Sequence, residues 1–341
     1  MPATQRVVLG LETALSAGLA SVAFAFIDPD PRARLFAGLS AALLMQCDAG
    51  RTRRDRQRTL FGMGVAMIVS VALGLLSLHV TYAHQVGLVC AAFAVFWARE
   101  RLPGKPRFTV YAYVMYVITG LGSGGSTGVP TVAHSMLLAG AVALALGVSF
   151  AVRFYLLPTS LVESLAKMFL RSPTLTDDAS ASPPSLPAPR ATSLMPLRAA
   201  LVALAALLVS YAFKLERAYW VELSAVVLVN ETLNESARKS GERFAMTLMG
   251  CGLGWGLHWT LDGHLWLERG GLFLAVFLAA FFRPVSYPKM VLFVTVYVSF
   301  LFSLLGQWTL HVLALRIMDT GIGGALAVVF AVVLPHKKRG A

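Results

Sequence analysis

Trp220-Val-Glu-Leu-Ser-Ala-Val-Val-Leu-Val-Asn-Glu-Thr-Leu-Asn-Glu-Ser-Ala-Arg-Lys-Ser-Gly-Glu-Arg-Phe-Ala-Met-Thr-Leu-Met-Gly-Cys-Gly252 decides the fold. A short apolar run ends in polar residues, a basic stretch follows, and Thr247-Leu-Met-Gly250 opens a new apolar segment. The same plan occurs earlier. Ser40-Ala-Ala-Leu-Leu-Met-Gln46 corresponds to Ser224-Ala-Val-Val-Leu-Val-Asn230, an offset of 224 − 40 = 184, and Thr59-Leu-Phe-Gly62 corresponds to Thr247-Leu-Met-Gly250, an offset of 247 − 59 = 188. His134, Gly147 and Pro158 correspond to His311, Gly324 and Pro335, each 177 residues on. A recurrence of this kind reads as one unit written twice.

The unit is apolar. The chain is 57% hydrophobic and 13% charged, against roughly 25% charged in soluble domains. Many of its apolar runs approach the roughly 20 residues that cross a bilayer. A polytopic membrane protein follows, with the lipid bilayer as its first partner. The net charge of +12 does not mark a nucleic-acid binder. Such a protein gathers its basic residues on one water-facing surface, and here they stand in short clusters between apolar runs, as in cytoplasmic loops. Cys47, Cys90 and Cys251 lie in or beside apolar segments without metal or disulfide spacing, and read as packing residues.

Taken in order, Val7 to Ile27, Ala33 to Cys47, Leu60 to Leu78, Val86 to Ala98, Phe108 to Leu121 and Val132 to Leu156 form the first set of crossings. Asp28-Pro-Asp-Pro31 breaks the first helix, because proline fixes φ. Basic loops are expected at Arg51–Arg58 and Arg99–Arg107, and an uncharged turn at Gly122–Gly128. Thr159 to Leu170 reads as an amphipathic surface helix, and Ser172 to Ser193, rich in Pro, Ser and Ala, as a linker too polar to fold. The second set is Leu194–Phe213, Ala218–Leu233, Phe244–Leu261, Trp266–Phe282, Lys289–Leu305 and Trp308–Leu334. Only five of 29 basic residues fall on the other side (Arg32, Arg34, Lys214, Arg217 and Arg269), so the positive-inside rule places both termini in the cytoplasm. The expected fold is all-α, with about twelve transmembrane helices in two parallel six-helix repeats. The domains are residues 1–157, a segment 158–193 holding the amphipathic stretch and linker, and residues 194–341.

Arg316 and Asp319 lie inside the last long apolar run, three residues apart and therefore on one helix face. Charges at that depth are costly and often mark a substrate or proton path. Arg316 offers a carboxylate a fork of donors. Asp319, with Thr320 beside it, offers a site for release on protonation; the competing reading is a self-neutralising pair that locks helices together. The two short second helices add Ser40, Gln46 and Asp48 in the first unit, and Glu222, Ser224, Asn230 and Glu231 in the second, because unusually short segments at matching places in two repeats point to a binding site; the competing reading is that both are tilted helices whose polar ends meet water. Glu12 and Arg198 occupy matching places (198 − 12 = 186); they either pair across the repeat axis or reach back to the interface. His134 and His311 sit near the outer helix ends, and Tyr111, Tyr113 and Tyr116 either stack on a solute or line the interface. Gly321, Gly323 and Gly324 are expected to let helices approach closely.

Several of these patterns meet in one resemblance. They are the short second helix ending in Gln46 or Asn230, Arg243 four residues before Thr247-x-x-Gly250, and Arg316-Ile-Met-Asp319-Thr320-Gly-Ile-Gly323. Together they resemble the fusaric acid resistance and aromatic acid exporter family of bacterial inner-membrane proteins, and more distantly the plant aluminium-activated malate transporters. The resemblance implies secondary, proton-driven efflux of small aromatic or weak organic acids from the bacterial inner membrane, with a small organic anion as substrate. A channel-like organic-anion conductor is the alternative. A second copy of the chain is a further candidate partner. The chain departs from the family in having Asp55 four residues before Thr59, and Ala139, Val142 and Ala143 where the second unit has Arg316, Asp319 and Thr320. Larger members also carry a big soluble region between the halves. The short linker here argues against family-style assembly with a periplasmic adaptor. No Gly-x-Ser-x-Gly, His-Glu-x-x-His or P-loop occurs, so the chain does not read as an enzyme, and no cofactor or metal is expected.

Overall fold

The computed structural model describes residues 3–28, 30–46, 53–80, 82–101, 110–117, 132–156, 194–230, 232–261, 264–307 and 309–335. The expected amphipathic segment 159–170, the linker 172–193, the turn 122–128 and the basic tail 337–339 lie outside them.

All regular structure among the described residues is helical. The helices are α1 (Ala3–Ala25), α2 (Pro31–Met45), α3 (Arg53–Ser77), α4 (Ala83–Arg101), the helical stretch 110–117 (α5) and α6 (Val132–Ala151), which ends in a π-helical turn, Val152–Leu156. Then follow α7 (Met195–Ala212), α8 (Ala218–Val227), α9 (Leu233–Leu261), α10 (Leu265–Phe282), α11 (Tyr287–Leu304) and α12 (Leu310–Val333). Among the described residues, seven stretches are long and apolar enough to cross a membrane: Ala3–Ala25, Arg54–Ser77, Met136–Leu156, Met195–Ala212, Leu265–Phe282, Tyr287–Leu304 and Leu310–Val333. Ala83–Ala98 and Ala218–Val227 are shorter apolar helices.

Local chemistry sets the helix starts. The Asp30 side chain accepts from the Arg32 amide at 2.9 Å, with proline at the head of α2, a pairing that satisfies a free donor where proline needs none. Thr309 caps α12 in the same way, its Oγ1 accepting from the Val312 amide at 3.2 Å. Gly306, at φ +65°, turns the chain out of α11, a conformation that costs glycine little.

Two expected loops are helical instead. Arg53 to Arg58 form the first turns of α3, and the basic stretch 234–243 forms the first ten residues or so of α9. Apolarity marks where a helix enters lipid, not where it begins. Thr232 Oγ1 accepts from the Glu235 amide at 3.2 Å, and Arg238–Glu242 (3.3 Å) and Glu235–Lys239 (4.0 Å) join successive turns, supports that hold a polar helix in water. The second short helix is in turn shorter than expected. It stops at Val227 rather than Leu233, because Asn230 draws the chain away. Its Nδ2 donates to the Leu228 carbonyl at 2.7 Å, its Oδ1 accepts from Lys239 at 2.6 Å, and its carbonyl accepts from Arg198 at 2.6 Å.

The helices pack in recurring pairs. α1 lies on α2 and α6, α2 on α6, α3 on α6; α7 lies on α8 and α12, α8 on α12, α9 on α12. The two sets meet reciprocally, with α4 on α7 and α10 on α1. Each junction has its own core. One joins α4, α5, α7 and α8 through Phe96, Tyr113, Tyr116, Val202 and Trp220. The other joins α1, α2, α10 and α11 through Ala14, Ala42, Val276, Tyr297 and Phe300. Large apolar side chains such as Leu73, Phe93, Met249, Trp259 and Val329 remain on the outside, as suits a surface that meets acyl chains rather than water.

The matching pair Glu12 and Arg198 does not join across the two sets, nor reach back to the interface. Glu12 is buried and lies 3.8 Å from Arg153 in the turn that ends α6. Arg198 is buried on α7 and donates to the backbone carbonyls of Asn230 and Leu334, so it closes the ends of α8 and α12.

Candidate functional site

Glycine brings the site together. A Cβ on Gly323 of α12 would stand 2.7 Å from the Val221 carbonyl and 2.7 Å from Ser224 Cβ on α8. Only glycine lets the two helices touch there. Gly324 faces Ser240 of α9, whose Oγ donates to the Gly324 carbonyl at 3.3 Å, and Gly321 faces Phe244. α12 is therefore clamped between α8, which runs alongside it in the same direction, and α9, which runs against it.

This clamp buries Arg316, Asp319 and Thr320. They do not form a locked pair. No ion pair within 4.0 Å joins Arg316 to Asp319 among the described residues. The Arg316 guanidinium lies instead over the Trp220 ring of α8, 3.4 Å from its centroid, an attraction that grows when the cation is desolvated. Among the described residues, its Nε and Nη1 have no hydrogen-bond partner, nor does either carboxylate oxygen of Asp319, which is 0% exposed. Thr320 Oγ1 donates to the Arg316 carbonyl at 2.8 Å. Buried polar groups are nearly always hydrogen-bonded, and isolated charges are costlier still. These orphaned donors and acceptors make the cluster the most polar unpaired place inside the clamp.

The remaining candidates divide. Ser224, on the clamp, has a buried hydroxyl without a partner. Glu222 is buried on the same helix, within electrostatic reach of Tyr113 on α5, whose hydroxyl is also unpartnered. Asn230 stands at the end of α8 with its side chain engaged by Leu228 and Lys239. Ser40 lies apart on α2, donating to its own helix at the Phe36 carbonyl, 2.8 Å. Gln46, the cap of α2, accepts from the Tyr111 hydroxyl at 3.4 Å, and its backbone carbonyl accepts from Arg283. His311 is exposed and 3.1 Å from Glu216; Asp48, Glu231 and the side chain of His134 lie outside the described residues. A groove between α1 and α6, lined by Phe24, Ile27, Met136, Leu137, Gly140 and Leu144, presents only apolar groups.

Sequence reasoning missed the aromatic partner. Trp220 opens the stretch first quoted, four residues before Ser224, yet nothing in its spacing says that Arg316, 96 residues on (316 − 220), will lie on its face. Phe302 of α11, edge-on to Trp220 at 6.5 Å, was equally hidden.

Seven long apolar helices among the described residues, with a buried polar cluster between them, define a multi-pass helical membrane protein. Residues 199–330, from α7 into α12, match the family described as fusaric acid resistance protein-like, which bears out over the second unit the resemblance read from Arg243, Thr247, Arg316 and Asp319. No curated protein and no solved structure matches the chain.

Proposed function

We propose that this protein is a secondary exporter of small aromatic or weak organic acids, driven by the proton gradient across the bacterial cytoplasmic membrane. The observation that carries the reading is the Arg316 guanidinium held on Trp220 with Nε and Nη1 unbonded, beside an Asp319 carboxylate with no hydrogen-bond partner among the described residues, within a segment that matches the fusaric acid resistance protein-like family. Arg316 takes the substrate carboxylate, the aromatic surround takes an apolar ring, and Asp319 takes the proton. Ser224 and Thr320 line the same site, and Glu222 flanks it at the junction with α5. Asn230 and Gln46 hold helix ends, and Ser40 packs α2.

The architecture we infer is two parallel six-helix units with twelve crossings and both termini cytoplasmic. The recurring helix pairs and the reciprocal junctions α4–α7 and α1–α10 support it, since two copies of one unit related by an axis along the membrane normal make each contact twice. α2 and α8, 15 and 10 residues long, are the crossings completed by non-helical chain, which the interior of a bundle tolerates.

The test is growth of deletion and complemented strains on a panel of aromatic and aliphatic acids, with and without an uncoupler. Protection that the uncoupler removes supports the reading; equal sensitivity of both strains to every acid overturns it. A conductor of organic anions is distinguished by current that persists without a proton gradient.

A further inference from the structure

Arg316 is one of two guanidiniums on a single aromatic pair. Arg217, the cap residue before α8, lies over the Phe302 ring at 4.8 Å from its centroid. Phe302 meets Trp220 edge-on at 6.5 Å, and Trp220 carries Arg316 at 3.4 Å. The order is cation, ring, ring, cation. Tyr219 steadies the outer member: its hydroxyl accepts from Arg217 Nη1 at 3.3 Å, and its own ring packs on Trp220 at 5.0 Å. Arg217 makes no ion pair within 4.0 Å among the described residues; the neighbouring Glu216 is taken by His311 at 3.1 Å.

The two arginines differ in depth. Arg217 is half-buried at the end of the bundle where α8 and α12 both begin, whereas Arg316 lies six residues beyond Leu310 (316 − 310), about 9 Å down α12 at 1.5 Å per residue. Asp319 interacts electrostatically with both, and Arg243 of α9 adds a further positive field on Arg316. Besides Asp319, the nearby carboxylates are Glu216, which precedes Arg217 and lies 3.1 Å from His311, and Glu222, buried two residues beyond Trp220 on α8. A guanidinium that stacks by its face keeps in-plane N–H groups for an anion, and Arg217 does so apart from the Nη1–H that Tyr219 accepts.

We propose that Arg217 is a second anion-binding subsite, in series with Arg316, through which a carboxylate passes between the buried site and the outer mouth. The proposal rests on the reading of Arg316 as the substrate-carboxylate site. Trp220 and Phe302 are themselves buried, so a substrate that leaves Arg316 passes toward Arg217 as their packing loosens, with a cation at each end of the ring pair. Single guanidiniums hold a carboxylate less firmly than a closed cage, and conduction through a path requires sites weak enough to leave.

The experiment uses the full chain purified into lipid nanodiscs for equilibrium binding of radiolabelled benzoate, and into proteoliposomes for export of the same probe. Arg316→Gln is expected to abolish binding. Arg217→Gln is expected to raise the KM for benzoate about tenfold, the order expected when one charge-assisted hydrogen bond is lost, with the maximal rate little changed. Arg217→Lys, which keeps the charge, recovers most of that loss. Phe302→Leu, which keeps Arg217 but removes its platform, shifts KM in the same direction. An Arg217→Gln protein with wild-type KM overturns the series while leaving Arg316 in place. So does an Arg217→Lys protein as impaired as Arg217→Gln, since a merely structural contact at the head of α8 is then the cause. Wild-type binding by Arg316→Gln, or no benzoate binding by the wild type, overturns both the series and the site on which it rests.

Discussion

Arg316 and Asp319 stand one helical turn apart, yet the guanidinium lies 3.4 Å from the centre of the Trp220 ring and forms no ion pair with the carboxylate. Two charges that neutralised each other would hold helices together and leave nothing for a ligand. Here the aromatic face offsets part of the cost of burying the cation, and the donors at its edge stay free. Trp220→Leu therefore removes the platform without touching a charge. Binding of an aromatic carboxylate is expected to weaken about tenfold, the upper range for a desolvated cation–π contact being about 2 kcal/mol. Equilibrium binding measures it; Arg316→Lys is expected to fail as badly as Arg316→Gln, because an ammonium neither stacks nor forks.

The Asp319 carboxylate accepts no hydrogen bond among the described residues. Asp319→Asn keeps its shape and removes its charge, so the fold loses no hydrogen bond there and only the longer-range attraction to Arg316 and Arg217. Accumulation in the membrane is expected to stay at the wild-type level, while export coupled to the proton gradient is lost. Uncoupler-sensitive efflux at the wild-type rate in this variant would remove Asp319 from the mechanism.

The charged pair, the short helices and the recurrence of Ser224-x-x-x-x-x-Asn230 were legible in the sequence because each is a local departure from an apolar background. The helix starts were not. Arg53–Arg58 and the stretch 234–243 read as loops for want of apolar residues, and capping by Thr232 with i,i+4 ion pairs makes the second of them helical. Contacts between distant segments were also invisible. Trp220 with Arg316, Arg217 with Phe302, and the His258–Ser303–Glu268 cluster, in which Ser303 Oγ lies 3.1 Å from His258 Nδ1 and 3.0 Å from Glu268, each join helices whose register the chain does not announce. Charge alone also misled at Arg198, which looks like an interfacial residue and is instead a buried cap on two helix ends.

Gly323 and Gly252 make a matched pair for stability. A methyl on Gly323 meets backbone at 2.7 Å, and the Val221 carbonyl cannot rotate away; at Gly252 nothing lies within 4 Å. Gly323→Ala is expected to cost about 1–3 kcal/mol as α8 and α12 are forced apart, and Gly252→Ala to leave stability unchanged or slightly raised, by helix propensity. Thermal unfolding of the two proteins in the same detergent gives the comparison. Equal midpoints would mean that the α8–α12 contact is not tight in the membrane.

Arg283 tests whether the two sets of helices are held together at one end. It caps α10, donates to the Gln46 carbonyl at the end of α2, and lies 5.4 Å from the Tyr111 ring of α5, whose hydroxyl in turn donates to Gln46 Oε1 at 3.4 Å. One guanidinium thus joins α10 to two helices of the other set. Arg283→Gln leaves the α2 carbonyl with a weaker donor and strips the ring of its cation, and is expected to lower stability by about 1–3 kcal/mol. Gln46→Ala keeps the carbonyl and loses only the long bond from Tyr111, so its effect is expected to be smaller. Because neither residue touches the Trp220–Arg316 site, benzoate affinity is expected to survive both changes while the maximal export rate falls in Arg283→Gln. Loss of affinity in that variant, with the fold intact by thermal unfolding, would mean that the junction shapes the binding site itself rather than the movement of one set against the other.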